Sequence, residues 1–416
     1  MTKRDKRTEK DRGNLLDHLT HGFGDFAGAD YESADNLFGY LAHEFEGFAE
    51  RPLTDVDSLV LSCLSYYRLP DEARAARTHE GMPLHELFRA DWFDQMTRGF
   101  WDPAGLVRLL ACAVASPRFR DLRVSDYVED FDGESEKQFA AVTLRLPSGD
   151  AYVSFRGTDN TIVGWKEDFN MVFRTGVPSQ CAALAYLEEV GPTVEGELFL
   201  GGHSKGGNLA VYALSRCSDE LAAHVARVFS HDGPGFMDEA FAGTTWEDRA
   251  RLVSKTVPRS SLIGMLFEHE GGYTVVGSSM TGIMQHDPFS WIVEKGAFVC
   301  EEGLGRGAVF IDRGLNEWVS NMPTDQREEV VNLLFSVLYA SGKDTFADLS
   351  ENWQTTVPAM LEKLGSLEPE QRSRITGALS LLVRALLPDV DLSQMLSRFS
   401  PVAALAGKGD NGGEGA

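Results

Sequence analysis

A serine between two glycines, Gly202-His-Ser204-Lys-Gly206, follows the apolar run Leu198-Phe-Leu200 and leads into the helical stretch Asn208-Leu-Ala-Val-Tyr-Ala-Leu214. With 41 glycines in 416 residues, a bare Gly-x-Ser-x-Gly arises by chance on the order of 0.3 times in such a chain. The pattern alone therefore decides little. The strand before it and the helix after it carry the weight. A nucleophile elbow needs a sharp, strained turn in which small residues let strand and helix approach around an exposed hydroxyl. The chemistry on offer is attack by the Ser204 hydroxyl on a carbonyl.

A serine hydroxyl becomes a useful nucleophile only beside a base, and the base needs an acid to orient it. In this strand-turn-helix setting the chain order is Ser, acid, His. The histidines after Ser204 are His224, His231, His269 and His286. His286, in Met284-Gln-His-Asp-Pro-Phe-Ser-Trp291, follows the last core strand signal and is flanked by a proline and aromatics, as a functional loop would be. It is the expected base. His269 lies between Glu268 and Glu270 and reads as solvated, while His203 reads as a structural residue turned away from the serine. The oxyanion needs two backbone donors. One is expected from Lys205, the residue after the nucleophile. The other is expected from Thr158, where Tyr152-Val-Ser-Phe155 ends in Arg156-Gly-Thr158 and the glycine lets the chain turn its amides toward a substrate.

The elements that must hold these groups are legible in the periodicity. Thr54-Asp-Val-Asp57 resembles a capping box ahead of a helix over Ser58–Tyr67, and residues 79–116 keep three- and four-residue apolar spacing. The period then drops to two over Arg123–Glu129, Gln138–Leu146 and Ala151–Phe155, with Pro147-Ser-Gly-Asp150 as the turn between the last two. Strands follow at Leu198–Leu200, Arg227–Ser230, Leu252–Val257 and Tyr273–Val276, alternating with helices at Gly207–Arg216 and near Asp238–Arg249. Such alternation predicts a mainly parallel sheet covered by helices. Beyond Asp312 only helical segments are expected, over Asp325–Ser341, Thr345–Leu364 and Pro369–Leu387.

Composition removes other function classes. The net charge is −24, with 39 Lys and Arg against 63 Asp and Glu, which argues against a nucleic-acid groove. The basic amino end, Thr2 to Arg12, is followed by no apolar core of a signal peptide, and no stretch reaches the roughly 18–20 apolar residues of a membrane span. A cytoplasmic protein is the expectation. The five cysteines (Cys63, Cys112, Cys181, Cys217, Cys300) are odd in number, widely spaced and in apolar surroundings, which suits reduced core thiols rather than a disulfide framework or zinc site. No cofactor or metal is expected. Residues 1–30 read as a charged lead-in and 401–416 as a glycine-rich tail.

Taken together, Phe155-Arg-Gly-Thr158, Trp165, Asp168 and Gly202-His-Ser-Lys-Gly206 resemble the class-3 lipase group of the α/β-hydrolases. The fuller set, with Asp57–Tyr66, Asp232-Gly-Pro-Gly-Phe236, Val257–Gly264 and Gln285–Trp291, is similar to a bacterial branch of that group, over roughly residues 50–340. The resemblance implies an α/β-hydrolase-like core with N-terminal and C-terminal helical additions. The core would span 31–325 and a helical appendage 326–400. It implies Ser204 as nucleophile, His286 as base, and the amides of Thr158 and Lys205 as oxyanion donors. The usual acid is missing: where class-3 lipases carry an Asp just ahead of Val-Pro, this chain reads Val253-Ser-Lys-Thr-Val-Pro258, with Lys255 near that place.

Asp232 is the substitute, on the view that the acid has moved one strand earlier. It is otherwise a turn-starting Asp bonded to its own backbone. Ser260 or Ser261 would be a weaker orienting group, and Asp287 sits too close to His286 to reach its ring. Lys205 either attracts an anionic substrate or pairs with Asp168. The residues thus predict a serine hydrolase acting on an ester or thioester of a small-molecule or lipid acyl substrate. The alternative is a hydrolase fold kept as a binding or scaffold module. Residues 79–116 and 325–387 would form a lid, with Met265-Leu-Phe267 lining the site, or plain packing. Arg374–Leu387 would dock a partner or membrane surface, or bury itself against the core.

Overall fold

Eight strands form one sheet in which every strand lies beside its neighbour in sequence: β1 (Met82–Pro83), β2 (Arg123–Asp132), β3 (Lys137–Arg145), β4 (Ala151–Phe155), β5 (Leu198–His203), β6 (Val225–His231), β7 (Val253–Pro258) and β8 (Tyr273–Val276). In this computed structural model the described residues are 36–159, 161–171, 174–261, 263–266, 272–305, 324–344, 353–372 and 375. β1 to β4 pair antiparallel and β4 to β8 parallel. The α/β-hydrolase-like reading holds: a mainly parallel sheet flanked by helices.

The period of two decides which side chain meets which layer. On β4, Tyr152 faces a core built with the helices before residue 116. Ala151, Val153 and Phe155 face a second core built with helices Pro178–Val190 and Lys205–Arg216. β6 divides in the same way, Phe229 to the first core and Val228 to the second. Right-handed crossovers between successive parallel strands put their helices on one face. The opposite face is therefore left for the N-terminal helices Leu37–His43, Asp55–Cys63 and Pro103–Ala115.

The structure departs from the sequence reading in several places. Residues 79–116 are not continuously helical: they hold β1, a 3-10 turn at Leu84–Leu87, a short helix at Phe93–Met96 and the helix Pro103–Ala115. Pro83 breaks the spacing that reads as helix, since it donates no hydrogen bond and fixes φ. Between β4 and β5 lie two helices, Ile162–Asn170 and Pro178–Val190, and a two-stranded ribbon (Val293–Glu294, Ala297–Phe298) follows the His286 loop. Cys63, Cys112 and Cys217 are buried thiols, but Cys181 and Cys300 are exposed, so only three of the five match the expectation.

Helices Thr324–Tyr339 and Trp353–Ser366 pack with Ile162 and Phe169. Among the described residues no helix is long and apolar enough to cross a membrane. His269, Phe267, the amino-terminal lead-in, the glycine-rich tail and nearly all of Arg374–Leu387 lie outside the described residues.

The capping box forms as the sequence predicts, and it does more than cap. Thr54 Oγ1 accepts from Asp57 N, and Asp57 Oδ2 accepts from Thr54 N at 2.8 Å. The same carboxylate takes Tyr40 Oη at 2.6 Å and a bidentate Arg118, Nε at 2.7 Å and Nη2 at 2.6 Å, with both charged side chains fully buried. Arg118 Nη1 and Nη2 in turn donate to the carbonyls of Glu46, Arg51 and Pro52. Removing one partner of such a pair strands a buried charge. Asp57→Ala is expected to cost about 3–5 kcal/mol, read as a lowered urea midpoint.

Candidate active site

β5 ends at His203, and Ser204 turns the chain at φ 58°, ψ −133° into the helix Lys205–Arg216. An L residue holds that backbone only where its surroundings enforce it, at about 1–3 kcal/mol. Here Ser204 N donates to His231 O at 2.9 Å, and the helix approaches so closely that a Cβ on Gly206 would stand 2.0 Å from the Phe155 carbonyl oxygen. The elbow predicted from Gly-x-Ser-x-Gly is present, with its small residue where contact demands it.

In the parallel register His203 lies opposite His231, so Asp232 leaves β6 at the level at which Ser204 leaves β5. Asp232 also has a left-handed backbone, φ 50°, and its amide donates to Thr256 O on β7 at 2.7 Å. Its carboxylate, 1% exposed, is fully engaged. Oδ1 accepts from Ser261 Oγ and from Gly264 N at 3.1 Å, and Oδ2 meets His286 Nδ1 at 2.6 Å. The side chain reaches the imidazole rather than folding onto its own turn. Ser261 acts on Asp232, and Ser260 N bonds Gln285 Oε1 at 2.7 Å, so both support the loop rather than the ring. Asp287 accepts from Phe289 N and Trp101 Nε1, turned from His286 as its position in sequence implies. Lys255 sits within β7, across from Ser230 and Tyr273.

His286 closes a 3-10 turn, Gly282–His286, with its side chain 27% exposed. The His203 ring lies 4.6 Å from the His286 ring, and its Nε2 bonds the His286 carbonyl at 2.9 Å. His203 therefore contacts His286 directly, through both its ring and its Nε2. Sequence reasoning missed its partner Tyr66, whose hydroxyl meets His203 Nδ1 at 2.9 Å. Gly157 explains itself by the same contact. It does not take a left-handed φ; a Cβ there would stand 2.3 Å from Tyr66 Oη and 2.7 Å from the His203 carbonyl.

Of the two residues expected to donate amides, Thr158 sends its Oγ1 to Asp168 Oδ2. Lys205 is buried, and its ammonium is spent on three acceptors: Gln138 O at 2.8 Å, Gln138 Oε1 at 2.7 Å and Glu167 Oε2 at 3.1 Å. Asp168 is only 3.8 Å away, so the expected pairing exists but is secondary to Glu167. Glu167 also accepts from the amides of Gln138 and Ser179. An ammonium so satisfied does not reach for an anionic substrate. Met265 is buried in a small cluster with Val257 and Val275. From the 79–116 stretch, Phe100 and Trp101 stack edge-on against Tyr66. Among the described residues no His, Cys, Asp and Glu cluster could hold a metal.

Burial shifts several titrations here, three of them into or below the range from pH 7 to 4. Burial holds His203 well below the usual histidine range, helped by the neighbouring His286, and lowers His231 to about 4. Both are neutral in the fold and charge on unfolding, so their contribution is present above about pH 6.5 and is lost as pH falls. Asp168 runs the other way. Burial raises it to about 6 against the pull of Lys205 and the Thr158 hydroxyl, so its contribution is present below about pH 4 and lost as pH rises through 6. The chain should lose stability between pH 7 and pH 5. Asp168→Asn should steepen that loss by about 1 kcal/mol, measured as the difference in urea midpoints at the two pH values.

The Mbeg1-like family model matches residues 113–336, a span that takes in β2 to β8, Thr158, Ser204, Asp232 and His286. No curated protein matches the chain. Among solved structures, M37 lipase is similar at 14% identity over 52% of this chain and 70% of its own, with a TM-score of 0.33. Rhizomucor miehei lipase, in its propeptide complex, is similar at 16% identity over 39% of this chain and 58% of its own, with a TM-score of 0.26. Since the matched span is more than half of the 416 residues and contains the elbow and both groups joined behind it, the chain belongs to the Mbeg1-like family.

Proposed function

We propose that this protein is a serine hydrolase that cleaves a carboxylic ester or thioester through an acyl-enzyme on Ser204. The observation that carries the reading is the 2.6 Å bond between His286 Nδ1 and a buried Asp232, formed behind a strained Ser204 whose own amide is bonded to His231, the residue before that acid. The chain order supports the same reading, since Ser204, Asp232 and His286 follow one another as Ser, acid, His.

With Nδ1 engaged by Asp232, Nε2 of His286 is the nitrogen left to serve the hydroxyl. Ser204 Oγ attacks the substrate carbonyl as Nε2 takes its proton. Asp232 stabilises the imidazolium, and the amides of Thr158 and Lys205 receive the negative oxygen. Collapse expels the alcohol or thiol, which leaves with the proton returned from Nε2. Water then attacks the acyl-Ser204, losing its proton to the same nitrogen, and the acid departs as Ser204 regains its hydrogen. Asp168 fixes the Thr158 hydroxyl, and Glu167 and Gln138 fix the Lys205 side chain, so both donor residues are preorganised.

The scaffold reading rested on Lys255 standing near the place of the usual acid. The Asp232–His286 bond weighs against it, because an acid one strand earlier serves the same ring. A fluorophosphonate probe should label the wild type and leave Ser204→Ala untouched. On a panel of short- and long-chain esters, Asp232→Asn should lower kcat by about 10³–10⁴-fold with KM little changed. Absence of labelling and of turnover in the wild type would overturn the hydrolase reading in favour of the scaffold.

A further inference from the structure

We propose that His203 is a positioning residue for His286, that Tyr66 fixes the His203 tautomer needed for this, and that Trp291 and Trp101 extend the same hold to the residues on either side. The proposal rests on the hydrolase reading above only for what the positioning is for, since the contacts stand by themselves.

A carbonyl can only accept, so the 2.9 Å contact with His286 O makes His203 Nε2 the protonated nitrogen. Nδ1 must then accept, and the Tyr66 hydroxyl donates to it at 2.9 Å. Tyr66 and His203 are both buried, at 1% and 2% exposure, so water does not compete for the bond between them. On one side of this contact, Trp291 Nε1 donates to the Gln285 carbonyl at 2.9 Å, and on the other Trp101 Nε1 donates to Asp287 Oδ1 at 3.3 Å. Three ring N–H donors, two from distant segments and one from the end of the same loop, thus hold three consecutive residues, 285 to 287. Gln285 adds its own side chain, accepting from Ser260 N and donating to Met280 O at 2.8 Å.

The arrangement answers a need particular to this loop. His286 sits on a 3-10 turn, not on a strand or long helix, so its backbone lacks a ladder to fix it. Its ring must keep one nitrogen on Asp232 while the other serves the substrate. Misplacement by about 1 Å costs on the order of 10²-fold in rate. His203 is not itself a second base, because both its nitrogens are occupied. Its neutrality has a purpose too: a charged ring 4.6 Å from His286 would oppose the imidazolium formed during reaction, and burial keeps it uncharged.

The full-length protein with ¹⁵N-labelled histidines tests this by NMR, together with ester kinetics. His203 should appear as the Nε2–H tautomer and stay neutral from pH 8 to 5. Tyr66→Phe removes a single hydroxyl and should free the tautomer, move the His286 titration midpoint, and lower kcat roughly tenfold with KM within about twofold. His203→Gln keeps an N–H donor near the Nε2 position and should retain kcat within about fivefold, whereas His203→Asn reaches only the Nδ1 position and should lose about 10- to 100-fold.

Equal effects of Gln and Asn, or a His286 titration unmoved by Tyr66→Phe in folded protein, would overturn the proposal. Should the wild type turn over no ester while the His286 titration still moves in Tyr66→Phe, the positioning stands and the hydrolase reading fails.

Discussion

The backbone of Ser204, at φ 58° and ψ −133°, is the constraint around which the site is arranged. No local preference holds a serine there. It is held because β5 is bonded on both sides, to β4 and β6, and because its amide is claimed by His231 the moment the strand ends. The helix that starts at Lys205 must then cross the end of β4 at contact distance, which leaves no room for a side chain at Gly206. Sheet, elbow and helix therefore fix one another, and the strain at one residue is distributed over packing on both faces of the sheet.

What the sequence discloses of this is what period and turn chemistry encode. Strands Ala151–Phe155 and Tyr273–Val276 fall where alternation puts them, to the residue, and the Thr54–Asp57 box caps its helix as its spacing requires. These signals are local: a period of two or a cap is complete within a few residues. Over 79–116 the reading holds for the helices Phe93–Met96 and Pro103–Ala115 and fails before them, because apolar residues at three- and four-residue spacing also arise in short turns packed on the core, as Leu84 and Leu87 do. It misses Ile162–Asn170 and Pro178–Val190 because polar residues interrupt their spacing: Lys166, Glu167 and Gln180, all buried, are polar by composition yet interior by partnership.

The second kind of omission is the more instructive for the site. Tyr66 ends a stretch that resembles the lipases, but its role, like those of Gln138 and Glu167, is not legible locally, since each matters through a partner between 38 and 137 residues away. Nothing in the order of residues states that the Lys205 ammonium will be surrounded by Gln138 and Glu167, so a cation beside a nucleophile reads equally as a lure for anions. Burial removes that choice. A fully satisfied ammonium in a low-dielectric interior is a brace, and leaving any of its acceptors out would expose the cost of a buried charge.

The position of the proposed acid follows from the same geometry. The resemblance to lipases looks for a carboxylate just ahead of Val257-Pro258, at the end of β7, and finds Lys255 instead. Asp232 ends the neighbouring strand, and adjacent strands lie only about 4.8 Å apart. Its amide is bonded to Thr256 O, so its backbone already stands against the end of β7. A lateral offset of one strand is within reach of a side chain whose backbone has turned to φ 50°, and Ser261 and Gly264, from the segment after β7, supply the donors that hold one oxygen while the other meets His286. Displacing the acid along the sheet thus leaves the direction of the imidazole bond to be set by the β7 end after all. The segment that lacks the expected Asp still contributes, through a hydroxyl and an amide, to aiming the carboxylate that stands in for it.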